Sequence, residues 1–332
     1  MGPARSYHSF AAQTRRYFTR PHSAVPDAPL GGPAAWLGAQ LRIRPKRWQS
    51  TLDAGDVDAL ERAMEQVRRA GLTLEEVTRA RFPLPDLSAR IAGWRAEIER
   101  GCGFMVVRGL PVAAWSADDA ALAFWGIGHH LGLPGAQNPQ QELLGHVTDY
   151  GEAGSDPFVR LYRTSANIDF HCDAADVVGL LCLQPARTGG QSRIVSTVTL
   201  FNQLLAERPD LTPRLFEPFK LDGRGEHRPG SPPFSLIAPC AYADGTLRTF
   251  YHSEYMRSVE RLAGGALSDD ERAVLDFYDR VAADPAVHLD MWLEAGDMQF
   301  LSNHCIAHAR TAYTDDPERP RHLLRLWLSL DE

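Results

Sequence analysis

The feature that most constrains the fold is a change in sequence pattern near Pro134. Beyond that residue, apolar and β-branched side chains come in short runs, which is the pattern of buried strands. We predict strands at residues 177–183, 192–198, 235–243, 246–252, 298–306 and 322–330, with one helix among them at residues 269–283. This part of the chain is therefore predicted to be mainly β.

The region before Pro134 has a mainly helical pattern. Apolar residues recur at helical spacing in residues 53–69, 73–80, 87–100 and 117–131, and Ser116 can cap the last of these helices. One short run between glycines, GFMVVRGL at residues 103–110, has the composition of a buried strand. Helices followed by many strands predict an α+β fold, or a closed β structure covered by helices.

Composition and charge exclude two classes of partner. The chain has 332 residues, of which 44% are hydrophobic, so it is long enough to bury a sizeable core. Its net charge of -7 and pI of about 6.0 give no basic footprint for nucleic acid. The longest apolar runs, such as residues 177–183, are too short to cross a bilayer. We therefore predict neither a nucleic-acid nor a membrane partner.

The cysteines and the N-terminus bear on localisation and domain organisation. Five cysteines without a C-x-x-C motif favour a reducing compartment, and hence the cytoplasm. Residues 1–26 contain four arginines and no acidic residue, which is typical of a mitochondrial transit peptide or of a disordered bacterial extension. The run PDAPLGGP at residues 26–33 is typical of a linker. We predict a flexible extension at residues 1–34 and a single domain at residues 35–332.

A histidine followed two residues later by a carboxylate is a candidate metal-binding pair. On a strand, residues two apart face the same side, so one strand can supply both ligands. The chain holds three such pairs: His171 with Asp173, His252 with Glu254, and His288 with Asp290. Only the pair His171 and Asp173 is followed by enough chain to form the strands of a β-barrel before the strand that carries a third ligand. For any one histidine, a hydrogen-bonded core or surface position remains an alternative.

A third ligand is available in NHCIAHAR, residues 303–310, where His304 and His308 are four apart and are predicted to share a strand face. Two histidines and one carboxylate leave adjacent positions open on Fe(II) for a cosubstrate and O2. A keto-acid cosubstrate also needs a guanidinium for its far carboxylate. Arg321 and Arg325 lie four apart in an apolar run and are predicted to point the same way, although a structural ion pair is the alternative.

With these segments, the chain resembles the TauD/TfdA family of Fe(II)/2-oxoglutarate-dependent dioxygenases, within the clavaminate synthase-like group. The resemblance covers roughly residues 35–330. It is carried by GCGFMVVRGL (101–110), FHCDAADVVGLLCLQP (170–185), TGGQSRIVSTVTLFNQLL (188–205), GDMQFLSNHCIAHARTAY (296–313) and RHLLRLWL (321–328). It implies a double-stranded β-helix (jelly-roll) core with the N-terminal helices packed outside it.

The resemblance also implies roles for individual residues. The metal ligands fall on His171, Asp173 and His308, the last because Ala309 and Arg310 complete the family's H-x-R pattern. Arg321 is implied to bind the C5 carboxylate of 2-oxoglutarate, and Arg325 to assist it or to reach the primary substrate. Ser192, where threonine is commoner, is implied as a second 2-oxoglutarate ligand.

The implied function is an Fe(II)- and 2-oxoglutarate-dependent oxygenase that hydroxylates a small-molecule metabolite and releases succinate and CO2. Desaturation and ring formation stay open, because they use the same ligands. A noncatalytic jelly-roll protein that binds a metal or ligand is the alternative, since fold alone does not imply turnover. We expect a small amino-acid-like or carboxylated substrate, with Gln137, Asn138 and residues 234–255 as candidate pocket residues. Edge strands and exposed helices are compatible with a homo-oligomer.

Overall fold

The computed structural model describes residues 7–154, 156, 158–225 and 230–330. The α-helices of these residues are α1 (Phe10–Phe18), α2 (Gly38–Arg42), α3 (Ala54–Arg69), α4 (Ser88–Arg100), α5 (Ala117–Leu131), α6 (Thr197–Glu207), α7 (Ser253–Arg257) and α8 (Asp269–Ala282). Their strands are β1 (Gln49–Thr51), β2 (Phe104–Arg108), β3 (Leu133–Gly135), β4 (Leu144–Val147), β5 (Ile168–His171), β6 (Val177–Gln184), β7 (Thr188–Gly189), β8 (Ser192–Ser196), β9 (Phe219–Asp222), β10 (Phe234–Ile237), β11 (Cys240–Ala243), β12 (Thr246–Thr249), β13 (Leu289–Met291), β14 (Met298–Ser302), β15 (Ile306–Arg310), β16 (Tyr313–Thr314) and β17 (His322–Ser329).

Two sheets build the core. The larger has the strand order β1-β2-β14-β6-β17-β3, with β4 also paired to β17, and the smaller has the order β13-β8-β15-β5. Apart from the parallel β1–β2 pair, their strands are antiparallel. Val178, Trp327, Ile194 and Ile306 join strands of both sheets in one buried cluster. The predicted double-stranded β-helix is confirmed.

Helices cover the outer face of the larger sheet. Met64, Trp94 and Phe124, from α3, α4 and α5, share a buried cluster with Phe300 and Leu326 of the sheet. Each fully buried side chain of this size contributes roughly 1.5–3 kcal/mol of hydrophobic stabilisation. Because this packing uses the outward side chains of β14 and β17, the inward ones are left for the functional site.

Several predicted elements differ from the structure. The runs predicted as single strands at residues 235–243 and 298–306 are each divided, into β10 and β11 and into β14 and the start of β15. Residues 73–80 form only a short 3-10 turn, Leu74–Glu76, rather than a helix. The strand predicted at residues 192–198 stops at Ser196, whose hydroxyl accepts a hydrogen bond from the backbone N–H of Thr199 and caps α6. Valine and threonine after Ser196 favour a strand locally, but the cap and the packing of α6 decide the outcome.

The predicted extension at residues 1–34 contains α1, one face of which packs against the rest of the chain, while residues 1–6 lie outside the described residues. Tyr17 of α1 is 1% exposed, and its hydroxyl donates a 2.9 Å hydrogen bond to the carbonyl of Asn303. The side-chain oxygen of Gln13, also buried, accepts a 3.0 Å hydrogen bond from the hydroxyl of Ser329. The arginine-rich composition reflects the exposed face of α1 and concealed its buried face.

The described cysteines and helices can be compared with the predictions made from the composition. All five cysteines are free thiols, and burial raises the pKa of Cys102 and Cys172 to about 12. Among the helices described, none combines the length and the apolar character that crossing a bilayer requires.

Candidate active site

The structure brings His171, Asp173 and His308 together at one end of the space between the sheets. His171 is the last residue of β5 and lies opposite His308 of β15 in the antiparallel pair. The candidate ligand atoms of the three residues all lie within 4.8 Å of one another. Nε2 of His308 is 3.9 Å from Oδ2 of Asp173, and the two imidazole centres are 4.1 Å apart.

The protonation states of these residues suit a divalent metal. Nδ1 of His171 lies 2.9 Å from the carbonyl oxygen of Asp169, so a proton there leaves Nε2 free to bind a metal. Burial, together with nearby His171, lowers the pKa of His308 to about 3 and keeps its imidazole neutral. Burial alone would raise the pKa of Asp173, but the nearby guanidinium of Arg325 opposes this effect, and the net result is a lowered pKa. Two neutral imidazoles and one carboxylate are the donor set of a non-haem Fe(II) site.

Asp173 is held by residues that the sequence did not point to. It lies two residues beyond the end of β5, so it does not share a strand with His171 as predicted. Its backbone N–H donates to Oδ1 of Asn303 at 2.9 Å, and the indole N–H of Trp327 donates to its Oδ2 at 3.1 Å. Asn303 also donates to the carbonyl of Ala175 at 2.9 Å. In the sequence, the only sign of these hydrogen bonds to Asp173 was Asn303, the first residue of NHCIAHAR.

The other candidate histidines have different roles. His304 lies in the turn between β14 and β15, not on the face of His308, and its Nε2 is 2.8 Å from Oδ1 of Asp176. His288 is buried with Nδ1 2.8 Å from the carbonyl of Ala282. The ring of His252 lies 5.0 Å from that of His171 and 3.7 Å from that of Tyr255, beside the metal ligands.

Arg321 and Arg325 are both buried but lie in different surroundings. Arg325 approaches the metal ligands, with Nη1 3.9 Å from Oδ2 of Asp173, and its Nε donates to Oε1 of Gln137 at 2.6 Å. Arg321 precedes β17, and a shift in strand register between His322 and Leu323 separates it from Arg325. Its guanidinium lies 5.0 Å from the ring centre of Tyr313. The expectation that both arginines point to the same place is therefore wrong.

Ser192 and the glycines before it border Arg321. The hydroxyl of Ser192 donates to Oε1 of Gln299 at 3.2 Å, inside the barrel, and Ser192 lies opposite Arg310 in the β8–β15 pair. Gly190 has φ +74°, and a Cβ there would lie 3.2 Å from Nε of Arg321. A side chain at this position would therefore press on the guanidinium, which explains the glycine.

A cavity of about 230 Å³ opens beside the metal ligands. Its walls come from α1, the segment before β5, and the segment after β12, including Phe10, Phe18, Arg160, Tyr162, His252 and Tyr255. Of the other predicted pocket residues, Gln137 acts through Arg325, Asn138 bonds to Glu142, and Tyr251 is buried with its hydroxyl on Asp279. Arg325 also lines this cavity, so it can receive an anionic group.

Comparison with known families establishes the class of this site. The sequence model described as "Taurine catabolism dioxygenase TauD, TfdA family" matches residues 67–327, which span more than half of the chain. The chain belongs to the TauD/TfdA family. Within it, the chain is 31% identical over 309 residues to FR-33289 synthase of Streptomyces rubellomurinus (strain ATCC 31215), and the match covers 91% of each protein.

Solved structures share the fold of this TauD/TfdA protein. Asparagine oxygenase in complex with Fe(II), 2S,3S-3-hydroxyasparagine and succinate has a TM-score of 0.67 at 18% identity, covering 86% of this chain and 94% of that one. The non-heme iron oxygenase OrfP in complex with Fe and alpha-ketoglutaric acid has a TM-score of 0.63 at 15% identity, covering 85% and 94%. With the family match, these findings make the protein an Fe(II)- and 2-oxoglutarate-dependent oxygenase of small molecules.

Proposed function

We propose that this TauD/TfdA enzyme hydroxylates a small metabolite with an anionic, amino-acid-like group. The observation that carries the proposal is the partly buried cluster of His171, Asp173 and His308, which borders a cavity. In the overall reaction, R–H, O2 and 2-oxoglutarate give R–OH, succinate and CO2. One oxygen atom enters the new hydroxyl and the other enters the succinate carboxylate.

His171, Asp173 and His308 are the proposed Fe(II) ligands. Bound Fe(II) would supply the open positions at which the keto acid and O2 meet, which is chemistry that no side chain of the chain can provide. The protein's part is to keep the imidazole of His308 neutral and Asp173 ionised, and to hold all three side chains in place. Asn303 and Trp327 serve the last purpose through their hydrogen bonds to Asp173.

Arg321 and Ser192 are the proposed ligands of the far carboxylate of 2-oxoglutarate. Arg321 is 6% exposed, and its Nη1 has no hydrogen-bond partner in the described part of the chain. A buried cation of this kind favours a bound anion. Ser192 faces the same interior from β8 and keeps a hydroxyl that can turn from Gln299 to a ligand.

Arg325 is the proposed contact for the anionic group of the primary substrate. Its guanidinium is held between the rings of Tyr162, at 4.5 Å, and Trp327, at 5.3 Å, on the wall of the cavity. An anion at this place brings a neighbouring C–H bond close to the metal ligands. The name of the structural relative asparagine oxygenase supports an amino-acid-like substrate.

The cellular compartment and the oligomeric state of the protein are part of the same proposal. We infer a reducing compartment, the cytoplasm, because the five cysteines are free thiols. The packing of α1 against the barrel supports this over a cleaved mitochondrial signal. The net charge of -7 supports the absence of a nucleic-acid partner. A homo-oligomer is tested by light scattering on the purified protein.

The first test adds Fe(II) and then 2-oxoglutarate to the protein without oxygen and records the visible spectrum. We expect a weak metal-to-ligand charge-transfer band that is lost in His308→Ala and weakened in Arg321→Ala. His146→Ala is the matched control, because His146 is exposed and away from the cluster. Fe(II) binding without a band would favour a noncatalytic protein, and no Fe(II) binding would refute the assigned ligands.

The second test supplies O2 and a panel of amino acids and carboxylated metabolites. Succinate formation identifies a substrate, and the product mass separates hydroxylation, which adds one oxygen atom, from desaturation or ring formation, which removes two hydrogens. Turnover confined to peptides or nucleic acid would refute the proposed substrate class.

A further inference from the structure

A second buried guanidinium lies against the same tyrosine ring as Arg321. Arg310 and Arg321 are both 6% exposed, and their guanidinium carbons lie 4.8 and 5.0 Å from the ring centre of Tyr313. Within the described residues, Nε and Nη1 of Arg310 have no hydrogen-bond partner, and neither has Nη1 of Arg321. Among the residues that the structure describes, no carboxylate lies within 4.0 Å of the nitrogens of either arginine.

Two buried cations against one ring are unfavourable unless an anion offsets their charge. The unpartnered nitrogens of both side chains therefore mark a site for an anion with several oxygen atoms. A carboxylate fits, because it accepts parallel hydrogen bonds from guanidinium groups.

Arg310 also binds the segment that forms part of the substrate cavity. Its Nη2 donates to the carbonyl of Thr164 at 2.8 Å and to that of Ala166. The neighbouring Tyr313 N–H donates to the carbonyl of Ser165 at 3.0 Å. A few residues earlier, the same segment places Tyr162 over Arg325 in the cavity wall.

We infer that Arg310 is a second guanidinium for the far carboxylate of 2-oxoglutarate, and that through it the bound cosubstrate fixes residues 158–167 at the substrate cavity. The inference rests on the proposed function. Arg310 follows His308 by two residues on β15, so both face the barrel interior about 6.6 Å apart along the strand. A ligand that chelates the metal with its keto-acid end can therefore reach Arg310 with its other end.

The test compares 2-oxoglutarate with pyruvate, which has the same keto-acid end but no far carboxylate. Dissociation constants for both are measured from the charge-transfer band of the Fe(II)-loaded protein without oxygen. In Arg310→Gln we expect 2-oxoglutarate to bind ~10-fold more weakly or worse, with pyruvate unchanged. Arg20→Gln is the matched control, because Arg20 also donates to two loop carbonyls, those of Ala238 and Pro239, outside the site. It should change neither constant.

Hydrogen exchange supplies a second readout. 2-Oxoglutarate should slow amide exchange in residues 158–167 of the wild type and fail to do so in Arg310→Gln. The inference would be overturned if Arg310→Gln bound 2-oxoglutarate as tightly as the wild type, or if it lost affinity for pyruvate to the same extent. Arg310 would then have a structural role only.

The outcomes distinguish a failure of this inference from a failure of the proposed function. Absence of any band in the wild type would refute the proposed function itself. If Arg310→Gln does not fold, Arg310→Lys carries the test, because lysine keeps the charge but cannot reach the anion and both carbonyls together. A preference for 2-oxoglutarate over pyruvate that is unchanged in Arg310→Lys overturns the inference.

Discussion

The indole nitrogen of Trp327 donates a 3.1 Å hydrogen bond to Oδ2 of Asp173. The two residues are far apart in sequence, and the bond joins β17 of the larger sheet to the end of β5 in the smaller one. Trp327 is itself packed in the core between the sheets, so its N–H has little freedom. The bond therefore fixes the carboxylate in the orientation that the candidate metal site requires.

Replacing this donor should weaken metal binding. Trp327→Phe keeps an aromatic ring and removes the N–H, so we expect Fe(II) affinity to fall by roughly 10-fold or more, as for other residues that orient metal ligands. Anaerobic titration with Fe(II) measures it. Trp48→Phe is the control, because its indole N–H donates to the carbonyl of Leu41 away from the site. Equal affinities in all three proteins would contradict the proposed role of Trp327.

Asn303 should matter for both stability and metal binding. Asn303→Ala leaves the N–H of Asp173 and the carbonyl of Ala175 without their partner, so we expect a loss of about 2 kcal/mol in the free energy of unfolding. Urea denaturation of the metal-free protein measures this loss. Fe(II) affinity should fall as well, because the backbone at Asp173 loses its support.

Asn202→Ala is the matched control for Asn303. The side chain of Asn202 bonds to both backbone groups of Leu30 at 2.8 Å, away from the metal ligands. Its loss should lower stability and leave Fe(II) affinity unchanged. If Asn303→Ala did the same, Asn303 would support the fold without supporting the metal site.

His129 should make the protein sensitive to acid. It is buried, its Nε2 has no partner in the described ranges, and burial with a contribution from His130 lowers its pKa to about 4. An unfolded histidine titrates near 6.5, so the folded pKa is the lower one. The stabilisation is then fully present above pH 6.5 and is lost as the pH falls toward 4, by about 3 kcal/mol in total.

Urea unfolding at pH 7 and pH 5 measures this dependence. His129→Phe removes the titrating group, so its unfolding free energy should fall less between the two pH values than that of the wild type. His22→Phe is the control, because exposed His22 is hydrated in both states. Parallel losses in all three proteins would show that other groups cause the acid sensitivity.

The sequence predicted the sheets and the cluster of candidate metal ligands better than the surroundings of the site. Strand spacing and distance along the chain singled out His171 with Asp173, and the resemblance to the family, through its H-x-R pattern, singled out His308. Asn303 and Trp327 could not be chosen in these ways, because their bonds to Asp173 depend on how the two sheets are placed in space. His304 was misplaced for a related reason: residues 298–306 were taken as one strand, whereas the structure turns after Ser302.

The wall formed by α1 should affect substrate choice. Phe10 and Phe18 lie on one side of this helix and border the cavity. Phe18→Ala should raise the KM for the primary substrate several-fold and leave 2-oxoglutarate affinity unchanged, as steady-state kinetics and the charge-transfer band can show. Arg15→Ala on the exposed side of α1 is the control. An unchanged KM in Phe18→Ala would mean that the substrate does not reach this wall.

The position of α1 also shows that part of the cavity lies outside the region matched by the family model. The family model matches residues 67–327, but part of the cavity is built from residues 10–18. A protein shortened to the matched region would keep His171, Asp173 and His308, expose the cavity to water, and be prone to consume 2-oxoglutarate without oxidising a substrate. Substitutions in α1 can therefore change which substrate is accepted while the barrel and its chemistry stay the same.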